Sequence, residues 1–110
     1  MNKILGKISG ISFGLGGYQN VMMGLSVSLS GEGSVCSDFK GTWGLGIEVN
    51  ERTKWTEKDR SKHFDETVRY INKLLIDAKV EKIDQLRGIP VEIIYEGMTL
   101  KSWRILTEVI

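Results

Sequence analysis

The chain has 110 residues, 41% of them hydrophobic and 26% charged, which predicts one globular domain spanning residues 1–110. Its 15 basic and 14 acidic side chains nearly cancel, which argues against the strongly basic surface of a typical nucleic-acid-binding domain. Cys36 is the only cysteine, which excludes an internal disulfide; without a signal peptide or a membrane-length apolar run, the sequence predicts a cytoplasmic protein.

Glycine is concentrated in the amino-terminal half, where residues 1–46 hold eleven of the thirteen glycines. Residues 3–13 alternate as a strand does, and the glycine-rich segment over residues 14–20 is typical of a turn. Residues 21–30 alternate more clearly, with large apolar side chains on one face and mainly small ones on the other. A turn at residues 31–33 and a strand over residues 34–43 complete a predicted antiparallel meander.

The carboxy-terminal half predicts a helix followed by a hairpin. Residues 44–55 show no period, and a connection of that length is often functional or mobile. Thr56 is a credible N-cap for a helix that runs to about Lys79. The apolar stripe of this helix consists of Phe64, Val68, Ile71, Leu75 and Ala78.

After a short helical turn near Ile83 and Leu86, strands over residues 91–96 and 99–109 are predicted to form a hairpin across Gly97 and Met98. The predicted fold class is therefore α+β: an antiparallel sheet, made of a three-strand meander and a carboxy-terminal hairpin, with one long helix packed on it.

Catalytic and cofactor chemistry finds little support in the sequence. The glycines over residues 14–19 lack the full G-x-G-x-x-G pattern and precede a strand rather than a helix. His63 has Asp59 and Glu66 at helical spacing, but the chain offers no second histidine to complete a metal site. Cys36 in a strand is typically a small hydrophobe. We therefore expect no catalytic residues, no metal and no cofactor, and a protein that is not an enzyme.

Aromatic residues and glycine turns are the better candidates for binding. Trp43, Trp55 and Trp103 are interspersed with basic residues that could hold phosphates while bases stack, although tryptophans also serve as core or interface anchors. In the turn, bare backbone N–H groups beside Tyr18 and Gln19 could hold an anion. The apolar residues Ile105, Val109 and Ile110 favour a homo-oligomer.

Three motifs carry a resemblance to known proteins. Gly16–Leu25 follows the pattern G-G-Y-Q-x-x-M-x-G-L, Asp38–Trp43 follows D-F-x-G-x-W, and Leu100–Leu106 has the sequence L-K-S-W-R-I-L. Together they resemble a family of small proteins encoded by bacteriophages and prophages, whose function is unassigned. The resemblance implies phage or prophage origin, a bacterial host cytoplasm and an accessory role, and it supplies no catalytic residues.

From these observations we expect a non-catalytic accessory protein that binds a host component, as a protein inhibitor or adaptor. The alternative is a nucleic-acid or nucleotide-binding module that uses glycine-rich turns, aromatics and arginine. A host protein is the expected partner, a homo-oligomer is also expected, and no membrane is. The predicted binding residues are Gly16, Gly17, Tyr18, Gln19, Asp38, Trp43 and Arg104.

Overall fold

The computed structural model describes residues 2–110 as a five-stranded antiparallel sheet and one long helix. The helix, α1, is Glu57–Ala78, and the order across the sheet is β3-β2-β1-β4-β5. The predicted α+β architecture is therefore confirmed. The strands are β1 (Asn2–Gly16), β2 (Met22–Gly31), β3 (Ser34–Trp43), β4 (Pro90–Glu96) and β5 (Thr99–Ile105), with short 3₁₀ turns at Tyr18–Asn20, Ile83–Leu86 and Thr107–Val109.

β1 joins the two hairpins of the sheet, β2–β3 and β4–β5, and each hairpin pairs with a different half of β1. β4 pairs with residues 2–7 of β1, whereas β2 pairs with residues 7–16. The 15 residues of β1 should span about 46 Å from the first Cα to the last, at roughly 3.3 Å per step. The longest dimension of the molecule is 47 Å, so the hairpins are staggered along a strand that runs nearly its full length.

The predicted end of the first strand at residue 13 was too early. Residues 14–16 continue the pairing with β2, and the turn begins only at Gly17. Glycine composition marked this stretch as a turn, but the cross-strand partners of these glycines keep them in the sheet. Here tertiary pairing overrides local propensity.

Two pairs of glycines let neighbouring backbones approach closely. Gly24 of β2 lies opposite Gly41 of β3, and a Cβ on either would collide with the backbone of the other strand. Gly6 and Gly31 form the equivalent contact between β1 and β2, where a Cβ on Gly31 would lie 2.6 Å from the carbonyl oxygen of Leu5. Part of the amino-terminal glycine excess is therefore required by strand packing.

The sheet curls around a core on one of its faces. Trp103 Nε1 of β5 donates a hydrogen bond to Asp38 Oδ2 of β3 over 2.9 Å, although β3 and β5 are the two outermost strands. Tyr70 of α1 lies near this contact; burial, and secondarily the charge of Asp38, raise the pKa of Tyr70 to about 12. The fully buried side chains are Ile8, Leu25, Leu29, Leu86, Val91 and Ile93.

The helix begins and ends where the sequence predicted. Thr56 and Asp59 form a reciprocal capping box, with the Asp59 carboxylate accepting from the Thr56 N–H over 2.8 Å. This hydrogen bond, followed by that from the Thr56 hydroxyl, lowers the pKa of Asp59. Lys79 ends the helix in the left-handed conformation, with φ of 58°.

The predicted apolar stripe was wrong at Val68, which is 62% exposed. The buried face is rotated, and it includes Arg60 and Thr67 together with Leu74 and Ala78. A stripe drawn through apolar residues cannot anticipate these two polar positions. Thr67 is accepted in the interior because its hydroxyl donates to a backbone carbonyl of the preceding turn over 2.8 Å.

Replacement of Gly24 by alanine should destabilise the fold because the added Cβ collides with the adjacent backbone, which cannot move independently. We expect the free energy of unfolding to fall by about 3 kcal/mol, the scale of overpacking in a tight site. Gly46→Ala is the matched control, because nothing lies within 4 Å of its Cβ position. Urea denaturation followed by circular dichroism measures both; equal midpoints for the two variants would contradict the role of Gly24.

Trp103→Ala should lower the free energy of unfolding by about 3 kcal/mol, since it removes a half-buried aromatic packed against the core. Trp103→Phe keeps an aromatic ring and deletes the donor to Asp38; a loss of about 1–2 kcal/mol is expected. Chemical denaturation of both variants tests the contact between the outer strands. A midpoint that barely changes for Trp103→Ala would identify this residue as a surface contact.

Candidate aromatic binding surface

Three aromatic side chains meet at the end of the sheet where β1 passes into β2. The ring of Tyr18 stands edge-on to Trp43, with centroids 6.4 Å apart and planes at 86°; Trp43 stacks on Trp55 at 6.5 Å and 11°. We call Tyr18, Trp43 and Trp55 the aromatic cluster. Tyr18 is 65% exposed, and the two tryptophans are half-buried. The cluster therefore has a half-buried base and an accessible ring.

Strand register explains why the cluster forms. Gly16 of β1 pairs with Met22 of β2, and Met22 pairs with Trp43 of β3, so the three residues lie in one row across the sheet. The turn that begins at Gly17 must therefore project beside Trp43. Tyr18 and Trp43 meet, although they are far apart in the sequence, because β1 pairs with β2 as far as Gly16, its last residue.

The turn that carries Tyr18 has an unusual backbone. Gly17, Gln19 and Asn20 all have positive φ values, of 65°, 52° and 57°. The Asn20 N–H donates to the Gly17 carbonyl over 3.3 Å and thereby closes the turn. Positive φ is uncommon outside glycine, and such strain is often found at binding sites. The turn holds Tyr18 outward in a fixed direction.

Arg60 supports the cluster from below. Its guanidinium lies 4.8 Å from the centroid of Trp55, and the side chain is only 3% exposed. Nη1 donates to the Gly44 carbonyl over 3.0 Å, and Nη2 donates to the Ile47 carbonyl. Nε lies 2.9 Å from Glu57 Oε1. A cation stacked on an aromatic ring and hydrogen-bonded at both amino groups is a fixed structural support.

The connection over residues 44–55 is thereby ordered. Trp43 and Trp55 stack at its two ends, so the segment closes on itself as an Ω-loop does. Inside it, the Thr53 hydroxyl donates to the Asn50 carbonyl over 2.6 Å, and the Arg52 N–H donates to Asn50 Oδ1 over 2.8 Å. These contacts give this aperiodic segment a defined shape.

The seven residues predicted to bind a partner do not all come together. Five of them surround or belong to the aromatic cluster: Gly16, Gly17, Tyr18, Gln19 and Trp43. Asp38 instead points to the core face, where Trp103 donates to it. Trp55 and Arg60 are not among the seven predicted residues; the tryptophans interspersed with basic residues are the signal in the sequence that points to them.

Arg104 lies on β5 at the other edge of the sheet, between two carboxylates. Its two amino groups donate to Glu108 over 3.0 and 2.9 Å, and Nε donates to Glu92 over 3.3 Å. The hydrogen bonds with Glu108, followed by those with Glu92, raise the pKa of Arg104. The guanidinium in turn lowers the pKa of Glu108. The two carboxylates neutralise the charge of Arg104 and accept from three of its five N–H donors.

His63 and Cys36 occupy separate places. His63 Nδ1 lies 3.4 Å from Glu66 Oε2 on the outer surface of α1, and its side chain is 52% exposed. Within residues 2–110, no group of three or more histidine, cysteine or acidic side chains is placed to hold a metal ion. Cys36 and Tyr95 line an open cavity of about 420 Å³. The pKa of the Tyr95 hydroxyl is raised, mainly by its hydrogen bond with the Cys36 thiol.

Comparison with known proteins returned no match to a family model, to a curated protein or to a solved structure. Over the described part of the chain, no helix has both the length and the apolar character needed to cross a membrane. The candidate surface is therefore argued from its own geometry.

Arg60→Ala should loosen the connection over residues 44–55, because the carbonyls of Gly44 and Ile47 lose their donor. We expect a loss of about 3 kcal/mol of unfolding free energy, with faster amide exchange in that segment. Arg69→Ala is the matched control on the same helix. Arg69 is 79% exposed, so removing its pair with Asp65 should change stability by less than about 0.5 kcal/mol. Equal effects in both variants would refute the supporting role.

Proposed function

We propose that this protein is a non-catalytic binding module that acts as an inhibitor or adaptor by engaging a host protein through the aromatic cluster. The observation that carries the proposal is the exposed ring of Tyr18, which a strained turn holds edge-on to Trp43, itself stacked on Trp55. Tyrosine and tryptophan dominate the energetic centres of protein interfaces, because they offer a large and rigid contact area.

The surroundings of the cluster are consistent with a protein partner. Leu45 follows Trp43 by two residues and is 76% exposed, so the segment that leaves the cluster also offers apolar surface. The backbone that carries these side chains is already ordered by Arg60 and by the stacked tryptophans. A preformed surface loses little conformational entropy when it binds.

The alternative, a nucleic-acid or nucleotide-binding module, requires cations that are available to phosphate. Arg60 is buried and donates to two carbonyls, and Arg104 donates to two glutamates. Arg60 therefore offers no phosphate contact, and carboxylates neutralise Arg104. The exposed cations Arg52, Lys54 and Lys58 are interspersed with acidic residues, and the formal net charge of the chain is only +1. These facts favour a protein over a nucleic acid as the partner.

The resemblance to small phage and prophage proteins supports the accessory role in a bacterial host. It rests on motifs that coincide with the candidate surface, since Gly16–Leu25 includes the turn and Asp38–Trp43 ends at the second ring of the cluster. A non-enzymatic role agrees with the separate positions of His63 and Cys36. We expect this protein and its host partner to meet in the bacterial cytoplasm.

Tyr18→Ala should abolish capture of the host partner while leaving the fold intact, because the ring is largely exposed. Immobilised wild-type protein should retain one stoichiometric protein from a bacterial lysate, and the Tyr18→Ala protein should lose at least about 90% of it, equivalent to more than about 1.4 kcal/mol. Ile76→Ala is the control. Ile76 has the same 65% exposure on the outer surface of α1, and its replacement should retain full capture.

The same proteins are then tested on a single-stranded oligothymidylate. Salt-dependent retention by the wild type, lost in Tyr18→Ala, would support the nucleic-acid alternative and contradict a protein partner. Equal capture of lysate protein by Tyr18→Ala and Ile76→Ala would show that the aromatic cluster is not the binding surface.

A further inference from the structure

One edge of β1 is unpaired over much of its length, because no strand in the described part of the chain pairs with it there. The pairing with β4 ends at Lys7, and the backbone of Ile8 still bonds to Gly88 and Ile89. Beyond this point residues 10–16 pair with β2 on one side only. We call residues 10–16 the free edge of β1. An edge of this kind presents backbone donors and acceptors that can pair with another strand.

The free edge carries no charged side chain, unlike the outer strands of the sheet. Its sequence is G-I-S-F-G-L-G. β3, at one side of the sheet, includes Lys40, and β5, at the other, includes Lys101 and Arg104. Charges on edge strands prevent unwanted pairing between sheets. The free edge of β1 lacks this protection, and its alternation of large apolar and small residues suits a continuous sheet.

We propose that the free edge of β1 pairs with the same edge of a second copy of this chain, in antiparallel orientation about a two-fold axis at Phe13. This register pairs all seven residues and places Phe13 opposite Phe13 of the second copy. Ile11 lies opposite Leu15, while on the other face Gly10 lies opposite Gly16 and Ser12 lies opposite Gly14. The sequence is therefore complementary to itself, as a two-fold interface requires.

The side chains at this edge have apolar surface to contribute. Phe13 is 46% exposed and Leu15 is 69% exposed, although both lie on the same face of the sheet as the core residues. In the paired sheet, these side chains pack against their counterparts. Two five-stranded sheets become one of ten strands, and the two-fold axis closes the assembly at a dimer.

This inference goes beyond the proposed function: it concerns how copies of the chain pair, and its test contains no host partner. Sedimentation equilibrium of the wild type over the micromolar range should give twice the chain mass of 12.4 kDa. Phe13→Lys and Phe13→Glu, each alone, should raise the dimer dissociation constant at least about tenfold, because like charges then face each other across the axis. Mixing the two variants should restore a dimer, since lysine then faces glutamate.

Controls separate loss of pairing from loss of folding. Leu15→Lys, at a more exposed position of the same edge, should also weaken the dimer, and circular dichroism should show that each variant is folded. Val35→Lys places the same charge on β3, where Val35 is 76% exposed, and should leave the dimer unchanged. A monomeric wild type, an assembly larger than a dimer, or disruption by Val35→Lys but not by the Phe13 variants would overturn the proposal.

Discussion

The structure depends on the divided pairing of β1, whose first half pairs with one hairpin and whose second half pairs with the other. Each backbone hydrogen bond in this arrangement fixes register, and register fixes which side chains meet. The row from Gly16 through Met22 to Trp43 exists because β1 pairs with β2 to its last residue. The same division leaves residues 10–16 without a partner on one side. The candidate binding surface and the free edge are thus two consequences of one staggered strand.

Glycine serves two different purposes in this fold. Gly24 and Gly41, like Gly6 and Gly31, are needed where two backbones come too close for a Cβ. Gly17 is needed for a turn with positive φ that directs Tyr18 outward. The glycines that attract attention in the sequence are therefore partly structural and partly connected with the candidate site, and only the coordinates separate the two groups.

The aromatic cluster joins a strained turn to a buried cation. Arg60 connects the start of α1 to the carbonyls of the preceding segment, and Trp55 contacts both that guanidinium and Trp43. Because the support is inside the protein, the exposed ring of Tyr18 can serve recognition without also maintaining the fold. A buried support beneath an exposed contact is a physical arrangement that favours a preorganised binding surface. This arrangement supports the proposed host-protein partner, as do the hydrogen bonds that tie Arg60 to backbone carbonyls and Arg104 to two glutamates.

The sequence by itself determined which local elements form: the strands from alternation, the helix from its N-cap Thr56 and its apolar period, and the hairpins from their turn residues. It ended the first strand too early, at residue 13, and extended the last to residue 109 although β5 ends at Ile105. These elements depend on neighbours within a few positions, which a sequence displays directly. It also indicated the turn at Tyr18, because glycine and aromatic residues there are visible without coordinates. Only the tertiary structure decided that Arg60 and Thr67 are buried while Val68 is exposed, that Asp38 faces the core and that Arg104 is held by glutamates. Those outcomes depend on the curl of the sheet and on contacts between residues tens of positions apart, which no local pattern encodes.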